Sequence, residues 1–366
     1  MNQKKIVMLV PGPNARGGIT NYYYSIRKEL PDEIIYVIRG PRNWPNKKNK
    51  LNEFGRFIKD NYNFIKVLIK EDVSVIQIAL PFTSTAIIRD GLFILIGKLF
   101  AKKVVVFFRG WIDDYVYSLS GLRLIIIKKI LFSANAIIEL SESNKKHLQN
   151  LGYSKKIYLE TTLVNKELIE DFDFNEGLQK RVNSSKKTIL FLSRIEKEKG
   201  IYQLLDSFKI IKKQFPEFDL VYAGDGKEEV NLAKKIKDEN ITGVSLKGFV
   251  SGDEKKQIFK NANIFVFLSE HEGMPNAVLE AMAFGLPVIT TNVGGIASVF
   301  KNEINGCLVN TVNPEDIAKN IGNIIFDTER YKEISEINYK VARNNFWSDV
   351  VAKRMVTILN EVSNTK

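Results

Sequence analysis

The sequence predicts an α/β protein with two doubly wound, Rossmann-like domains. The chain has 366 residues, which is more than one ordinary domain usually holds. Short runs rich in Val, Ile and Phe recur along it without polar alternation, as in parallel strands that are buried on both faces. Longer segments with helical spacing separate these runs, and repeated strand-helix alternation predicts parallel sheets covered by helices.

The expected elements form two series along the chain. Strands are expected at 5–10, 34–38, 73–79, 103–108, 135–140, 188–193, 219–224, 263–269 and 286–291. Helices are clearest at 21–30, 202–215, 276–284, 314–326 and 346–362.

The domain boundary is predicted at the most polar break in the chain, VNSSKK. We therefore expect an N-terminal domain at 1–180, a linker at 181–187 and a C-terminal domain at 188–345. Spacing alone does not tell which domain the final segment, 346–366, covers. We expect this segment to pack back on the N-terminal domain.

Composition narrows the class of protein and its compartment. Hydrophobic residues make up 45% of the chain and charged residues 26%, which fits a globular protein and excludes collagen-like and disordered chains. One cysteine, Cys307, excludes a disulfide framework, and two separate histidines, His147 and His271, leave no zinc ligand set. No signal peptide or spanning segment is expected, because the apolar stretches at 92–100 and 124–129 are too short. We therefore expect a cytoplasmic protein that needs no metal and no bound cofactor.

Charge is unevenly distributed along the chain. Up to residue 170 there are 27 Lys and Arg against 15 Asp and Glu, whereas the remainder has 27 of each, so the net charge of +12 belongs to the first half. The stretches 87–103 and 122–132 mix cations with bulky apolar residues, as interfacial helices do. An anionic membrane surface is the expected partner of the N-terminal domain, with core helices and an ordinary lysine-rich surface as alternatives. No nucleic-acid-binding motif is found.

The stretch SEHEGMPNAVLEAMAFGLPVITTNVGG, at 269–295, predicts a binding site where a strand feeds a loop and then a helix. Pro275 is expected in the first helical turn, and Gly285 ends the helix. A helix start beside Gly273 offers free N–H groups and a positive dipole end to a phosphate. Met274 and Asn276 flank this start and are expected to line the same site.

Two glutamates are the candidate functional acids of this stretch. Glu280 lies five residues after Pro275, roughly 7 to 8 Å along a helix, so it could reach a ribose diol when a pyrophosphate binds at the helix start. Glu272, on the loop, would face the group attached to the far phosphate. Taken singly, each glutamate would be interpreted as a solvated surface acid.

A pair of cations follows the first strand of the second half. In LSRIEKEKG, Arg194 and Lys199 lie at the carboxyl end of a strand, where open α/β sheets bind ligands. Two cations there can neutralise a diphosphate leaving group, which sugar transfer requires. The alternative is a surface loop rich in Lys and Glu.

These segments together resemble the family 4 retaining glycosyltransferases of the GT-B fold, also known as glycosyl transferases group 1, in which two Rossmann-like domains face each other across a cleft. The glutamates of EGMPNAVLE and the cations of SRIEKEKG match the family's motifs, and the likeness is strongest from 187 to 310. It implies that Arg194 and Lys199 hold the donor diphosphate, that Glu272 approaches the transferred sugar and that Glu280 binds the ribose. Gly18, in ARGGITNYYYSI, corresponds to a glycine-rich turn that approaches the donor phosphate.

Two segments depart from the family pattern. Where many members carry a histidine after the fourth strand, VVVFFRGW offers Arg109, which cannot accept a proton but can stabilise phosphate or acceptor charge. The usual Asn-Gly turn is replaced by ETTLVN at 160–165. Weaker signals are the acids Asp113 and Asp114, interpreted as cleft or surface residues, and the Gly-Asp-Gly turn at 224–226. Two interpretations of His271 stay open, a contact with the donor sugar and exposure to solvent.

The resemblance implies a retaining transferase that moves a sugar from a nucleotide-diphosphate sugar to a hydroxyl of a glycan or a lipid-linked acceptor, in bacterial surface polysaccharide synthesis. The N-terminal domain would bind the acceptor and the C-terminal domain the donor. One alternative is a nucleotide-sugar epimerase of the same fold, which two scattered histidines support poorly. Another is a basic, non-catalytic membrane-binding protein.

Overall fold

The computed structural model describes residues 4–15, 17–40, 50–111, 113–310 and 312–365, without the side chains at 50–52, 85, 113 and 114. The chain divides into two compact units, one ending at Thr162 and resuming at Ser348, the other running from Leu163 to Trp347.

The boundary between the units lies upstream of the predicted linker. Residues Phe174–Asn183 form a helix and Lys187 begins a strand, so 181–187 is a short link inside the second unit. The segment VNSSKK is polar because it contains the end of this helix and a short connection to the next strand, and it does not separate the two units. The final helix, Ser348–Asn364, is counted with the first unit.

The first unit is a parallel sheet covered by helices. Its strands are β1 (Lys5–Val10), β2 (Ile34–Ile38), β3 (Val73–Phe82), β4 (Lys103–Trp111), β5 (Ala136–Glu139) and β6 (Lys156–Leu159). Its helices are α1 (Gly18–Ile26), α2 (Lys50–Lys70), α3 (Ser84–Leu99), α4 (Asp113–Tyr117), α5 (Gly121–Leu131), α6 (Glu142–Asn150) and, at the chain end, α16 (Ser348–Asn364). A 3₁₀ turn at Arg27–Glu29 follows α1. The strand order is β2-β1-β3-β4-β5-β6, with every described pair parallel.

Two faces of this sheet are covered by different helices. Phe64 of α2, Phe93 of α3 and Leu131 of α5 share one hydrophobic core with Val106. The next strand residue, Phe107, points to the opposite face, where Tyr22 of α1 meets it edge-on with ring centroids 5.6 Å apart. Helices α2, α3 and α5 therefore lie side by side on one face of the sheet.

The second unit repeats the architecture. Its strands are β7 (Lys187–Leu192), β8 (Phe218–Ala223), β9 (Val244–Leu246), β10 (Ile264–Phe267), β11 (Val288–Thr291) and β12 (Gly306–Val309). Its helices are α7 (Lys166–Ile169), α8 (Phe174–Asn183), α9 (Ile201–Gln214), α10 (Glu229–Asp238), α11 (Gly252–Asn261), α12 (Asn276–Ala283), α13 (Ile296–Val299), α14 (Pro314–Ile325) and α15 (Thr328–Asn345), with a 3₁₀ turn at Lys197–Lys199. The strand order is β12-β11-β10-β7-β8-β9, again parallel.

These two six-stranded parallel sheets, counted over the described residues, confirm the predicted α/β class with two Rossmann-like domains. Three strands were not expected from the sequence, namely β6, β9 and β12. Among the described helices, none has the length and apolar content needed to cross a lipid bilayer.

Candidate functional site

The candidate site lies where the strand order of the second sheet reverses. Strand β7, the first of this unit, lies between β10 and β8. The connections leaving β7 and β10 run to opposite sides of the sheet, so a crevice opens between their carboxyl ends, and doubly wound sheets bind ligands at this point. The predicted cations follow β7, and Glu272 follows β10.

The structure brings Lys199 and Glu272 together at this crevice. Lys199 Nζ donates to Glu272 Oε1 at 2.6 Å. The ammonium group also lies 3.3 Å from Ser269 Oγ and 3.4 Å from the carbonyl oxygen of His271. The lysine is buried, whereas the glutamate keeps part of its surface exposed. A positive charge is thus held inside the loop cluster, with its one carboxylate partner facing outward.

Two glycines allow the backbone around this pair to pack so closely. Gly200 has φ +72°, and a Cβ there would lie 2.6 Å from the carbonyl oxygen of Leu268. Gly294 has φ +57°, and its Cβ would lie 2.1 Å from the carbonyl oxygen of Glu272. A side chain at either position would be strained and would displace the loop after β10. The glycines therefore fix the positions of Lys199 and Glu272.

Arg194, five residues before Lys199, is paired with a different carboxylate. Its NH1 donates to Glu196 Oε1 at 2.9 Å, and the arginine is largely exposed while Glu196 is buried. The backbone of this segment rests on the Gly-Asp-Gly turn: a Cβ at Gly224 would lie 1.9 Å from the oxygen of Ser193. This turn, a weak signal in the sequence, thus supports the Arg194 loop. In the sequence, only the two glycines after β8 indicated this supporting turn.

Helix α12 presents the second glutamate from inside the fold. Glu280 is buried, which rules out the alternative of an exposed helix acid. Its Oε1 accepts from Lys255 Nζ at 2.6 Å, and its Oε2 is buried with no hydrogen-bond partner among the described residues. Lys255, on α11, was missed by sequence reasoning, because a lysine in a charged helix start shows no distinguishing pattern.

The loop and helix start around Glu272 match the sequence prediction in most respects. Gly273 accepts a hydrogen bond through its carbonyl oxygen from the N–H of Gly295 at 2.6 Å, and Met274 is buried. Asn276 begins α12. Pro275 does not enter the first turn as predicted: it takes an extended conformation, with ψ 115°, at the position before the helix. Gly285, with φ +67°, follows the helix end as expected.

The remaining predicted residues of this region have simpler surroundings. The side chain of His271 is exposed, and only its carbonyl oxygen contacts Lys199. Asp113 and Asp114 begin α4, and their side chains lie outside the described part. Within the described residues, no group of three His, Cys, Asp or Glu side chains is arranged to hold a metal ion.

In the first unit, the guanidinium group of Arg109, near the end of β4, packs over the rings of Tyr22 and Phe107. Its guanidinium carbon is 4.2 Å from the ring centroid of Tyr22, and NH2 donates to Thr162 Oγ1 at 3.2 Å. Nε and NH1 are buried without a hydrogen-bond partner among the described residues. Burial lowers the pKa of Arg109, although an arginine keeps its charge. The group is therefore a partly buried cation, with two buried nitrogens, that can accept an anionic partner.

Glu160 is the carboxylate whose charge acts on Arg109, but it is paired with another arginine. Glu160, in the segment that replaces the Asn-Gly turn, accepts from Arg354 Nε of α16 at 3.0 and 3.1 Å. Glu160 is buried. The departure from the family pattern thus ties the final helix to the first unit. Gly18 begins α1 and is exposed, with Gly17 at φ +134° before it.

The two six-stranded parallel sheets with their helices correspond to the GT-B fold. The structure superposes on HepE of Anabaena, solved in complex with UDP, with a TM-score of 0.75 over 98% of this chain and 100% of that one, at 16% identity. At that identity the likeness shows the fold.

The family is indicated by sequence comparison. Residues 175–341 match the model of the glycosyl transferases group 1. An uncharacterized glycosyltransferase of Haemophilus influenzae is 26% identical over 91% of this chain and 94% of its own length. CapM, the capsular polysaccharide biosynthesis glycosyltransferase of Staphylococcus aureus, is 28% identical over 67% of this chain and 70% of its own. Several other relatives match over about half of their own length. The family model thus covers most of the second unit, and the two relatives that match over most of their own length are named glycosyltransferases, which supports glycosyltransferase activity.

Proposed function

We propose that this protein is a retaining glycosyltransferase of family 4, which transfers a sugar from a nucleotide-diphosphate sugar to a hydroxyl of a glycan or lipid-linked acceptor. The observation that carries the proposal is the Lys199–Glu272 pair at the reversal of strand order, 2.6 Å apart and built from two separate loops. A buried cation beside an outward-facing carboxylate suits a ligand that joins a diphosphate to a sugar.

The donor would lie along the second unit. Lys199, with the exposed Arg194 nearby in sequence, would bind the diphosphate as the bond to the sugar breaks and its electron pair moves to the phosphate oxygen. The start of α12 would face the same charge. Glu280 Oε2 would accept a hydrogen bond from the ribose, since Oε1 is already held by Lys255. Glu272 would contact the hydroxyls of the transferred sugar.

The first unit would supply the acceptor side. Arg109, with two buried nitrogens left to donate, would bind an anionic group such as an acceptor phosphate. This role replaces the histidine of the family pattern by a group that stabilises charge and cannot accept a proton. The acceptor hydroxyl would bond to the sugar carbon on the face that the diphosphate leaves, and its proton would pass to the departing phosphate oxygen, which has taken the electron pair of the broken bond.

Surface polysaccharide synthesis is the proposed setting. CapM acts in capsular polysaccharide biosynthesis according to its name, and HepE was solved with UDP. The alternatives, an epimerase and a non-catalytic binding protein, are not favoured, because the relatives of Haemophilus influenzae and Staphylococcus aureus are named glycosyltransferases and the cluster around Lys199 is intact.

The experiment is a turnover assay with a panel of nucleotide-diphosphate sugars and saccharide or lipid-linked acceptors. We expect nucleotide release that depends on an acceptor, with the anomeric configuration of the donor preserved in the product by NMR. Inversion at the sugar carbon would remove the retaining assignment. Release of a sugar epimer without transfer would favour the epimerase.

A further inference from the structure

Helices α2, α3 and α5 share one face of the first sheet, and their outward sides form a surface that we call the apolar-basic face. Its apolar members are large and exposed: Phe54, Ile58, Tyr62 and Ile69 on α2, Ile88, Leu92, Leu95 and Leu99 on α3, and Leu122, Ile125 and Ile126 on α5. Single exposed apolar residues are ordinary on a protein surface, whereas a contiguous set marks an interaction site.

The stripe on α3 is the clearest part of this face. Ile88, Leu92, Leu95 and Leu99 follow each other at intervals of four, three and four residues, so they line one side of the helix. Ile88 is 77% exposed and Leu99 83% exposed. The opposite side of α3 is also apolar, because Phe93 and Ile94 enter the core. A helix that is apolar on both sides is normally covered on both sides.

The neighbouring helices repeat the pattern. On α5, Leu122 and Ile126 are one turn apart, and Ile127 on the inner side enters the core. On α2, Phe54, Ile58 and Tyr62 are spaced by four residues along the outer side. Three parallel stripes therefore stand side by side on one face of the unit.

Cations flank these stripes, and among the described side chains of the three helices one acid is exposed, Glu53 of α2, which lies 3.6 Å from Arg56. Helix α5 contains no acidic residue, and the only one in α3, Asp90, is buried and paired with Arg39. Arg123 and Lys129 are exposed on α5. Three lysines of α2 are also exposed and alternate along the helix with its exposed apolar residues: Lys59, Lys66 and Lys70. Two lysines that the sequence offers as candidates are engaged instead, since Lys98 donates to Asn135 and Lys103 to the carbonyl oxygen of Thr365.

We propose that the apolar-basic face docks the protein on an anionic lipid surface. Apolar side chains would enter the acyl boundary while the flanking cations meet the headgroups. A second copy of the chain is a poor occupant, because two such faces would place cations against cations. This proposal does not depend on the proposed transferase chemistry: the donor residues lie in the other unit, and Arg109 lies near the end of β4, outside the three helices.

The test is co-sedimentation of the full-length protein with vesicles of phosphatidylcholine and phosphatidylglycerol, compared with phosphatidylcholine alone. We expect binding to the anionic vesicles only. The double variant Ile88→Ser, Leu99→Ser should lower the partition coefficient more than tenfold. Val230→Ser is the matched control: Val230 is 79% exposed on α10 of the second unit, and its loss should leave binding unchanged. Because these side chains are exposed, all variants should unfold at the wild-type temperature; Leu122→Ser gives an independent second site.

The charge arm uses Arg123→Gln and Lys129→Gln, each expected to lower partitioning about fivefold, against Lys213→Gln on α9 as the control. Added salt should weaken wild-type binding, since exposed charges are screened over about 8 Å at physiological ionic strength. Absence of wild-type binding to the anionic vesicles at low salt would overturn the proposal. The proposal would also be overturned if the Ile88→Ser, Leu99→Ser variant bound the vesicles as well as the wild type does. It would equally be overturned if the wild type formed a concentration-dependent dimer that this variant converts to monomer without loss of vesicle binding.

Discussion

At the scale of single residues, the second unit holds two carboxylates in different electrostatic surroundings. Glu272 shares the buried charge of Lys199, and Glu280 is held through one oxygen by Lys255, with its other oxygen buried and without a partner. A buried acceptor of this kind costs free energy unless a donor reaches it. The arrangement is therefore suited to a hydroxyl-bearing ligand.

Lys255→Met should weaken donor binding more than it slows turnover. The substitution leaves the buried Glu280 carboxylate without its cation and frees it to rotate, so we expect the KM for the donor to rise about tenfold with kcat nearly unchanged. Lys260→Met, on the same helix and bonded to the carbonyl oxygen of Asp171, is the control. The test is steady-state kinetics with the donor as the varied substrate. An unchanged KM for the donor would show that Lys255 does not contribute to the donor site.

Glu139, at the end of β5, should make stability depend on pH. Burial raises the pKa of this carboxyl to about 8 from 4.5, while hydrogen bonds from Asn144 and Leu140 act in the opposite direction. Between these two values the folded state keeps a proton that the unfolded state has released, so stability falls as the pH rises through this window. Glu139→Gln should remove a slope of up to about 1.4 kcal/mol per pH unit. Denaturant unfolding at pH 5 and pH 8 measures how the free energy of unfolding changes with pH. An equal change in the wild type and the variant would contradict the assignment.

At the scale of elements, the site depends on loops held together by glycine. Gly200→Ala would force a left-handed backbone on alanine and press its Cβ against Leu268, so we expect a loss of about 1 to 3 kcal/mol in unfolding free energy and reduced activity. Gly252→Ala, at φ +54° with open space around it, isolates the backbone cost and should lose about 1 kcal/mol or less. Equal losses in the two variants would show that the contact with Leu268 is unimportant.

The sequence predicted the central strands and one edge strand, β2, and missed the other three edge strands. Strands β7 and β10 are buried on both faces and show as long apolar runs. The three unexpected strands, β6, β9 and β12, are edge strands of three or four residues. With neighbours on one side only, such strands need no apolar run, so periodicity cannot reveal them.

The same contrast holds for the site. Lys199 and Glu272 follow the central strands β7 and β10, and the strand-to-loop pattern singled out each of them, whereas their contact is known only from the structure. The Glu160–Arg354 contact joins residues 194 positions apart, and neither belongs to a local pattern. The role of Lys255 likewise depends on how α11 packs beside α12, which only the folded chain reveals.

At the scale of the whole molecule, charge and chemistry are divided between the units. The net charge of +12 lies in the first half of the sequence, and the Lys199–Glu272 pair lies in the second unit. This division fits an enzyme whose acceptor side meets an anionic surface and whose donor side binds a soluble nucleotide sugar.

Chelation should leave transfer largely intact. In the proposed mechanism Lys199 and Arg194 stabilise the departing diphosphate, which is the task that a divalent cation performs in metal-dependent enzymes. We expect less than a twofold change in the initial rate with EDTA. Loss of activity that Mn²⁺ or Mg²⁺ restores would overturn the metal-independent assignment.

The most direct test of the account compares donor turnover by Lys199→Met with that by Lys197→Met, using whichever nucleotide sugar the wild type accepts. Lys199 is buried against Glu272, whereas Lys197, two residues earlier, is exposed and lies 4.0 Å from Glu228. The account predicts a loss of about 10²-fold or more in kcat for Lys199→Met and near-wild-type rates for Lys197→Met. A folded Lys199→Met variant that turns over at the wild-type rate would contradict the assignment of the donor site.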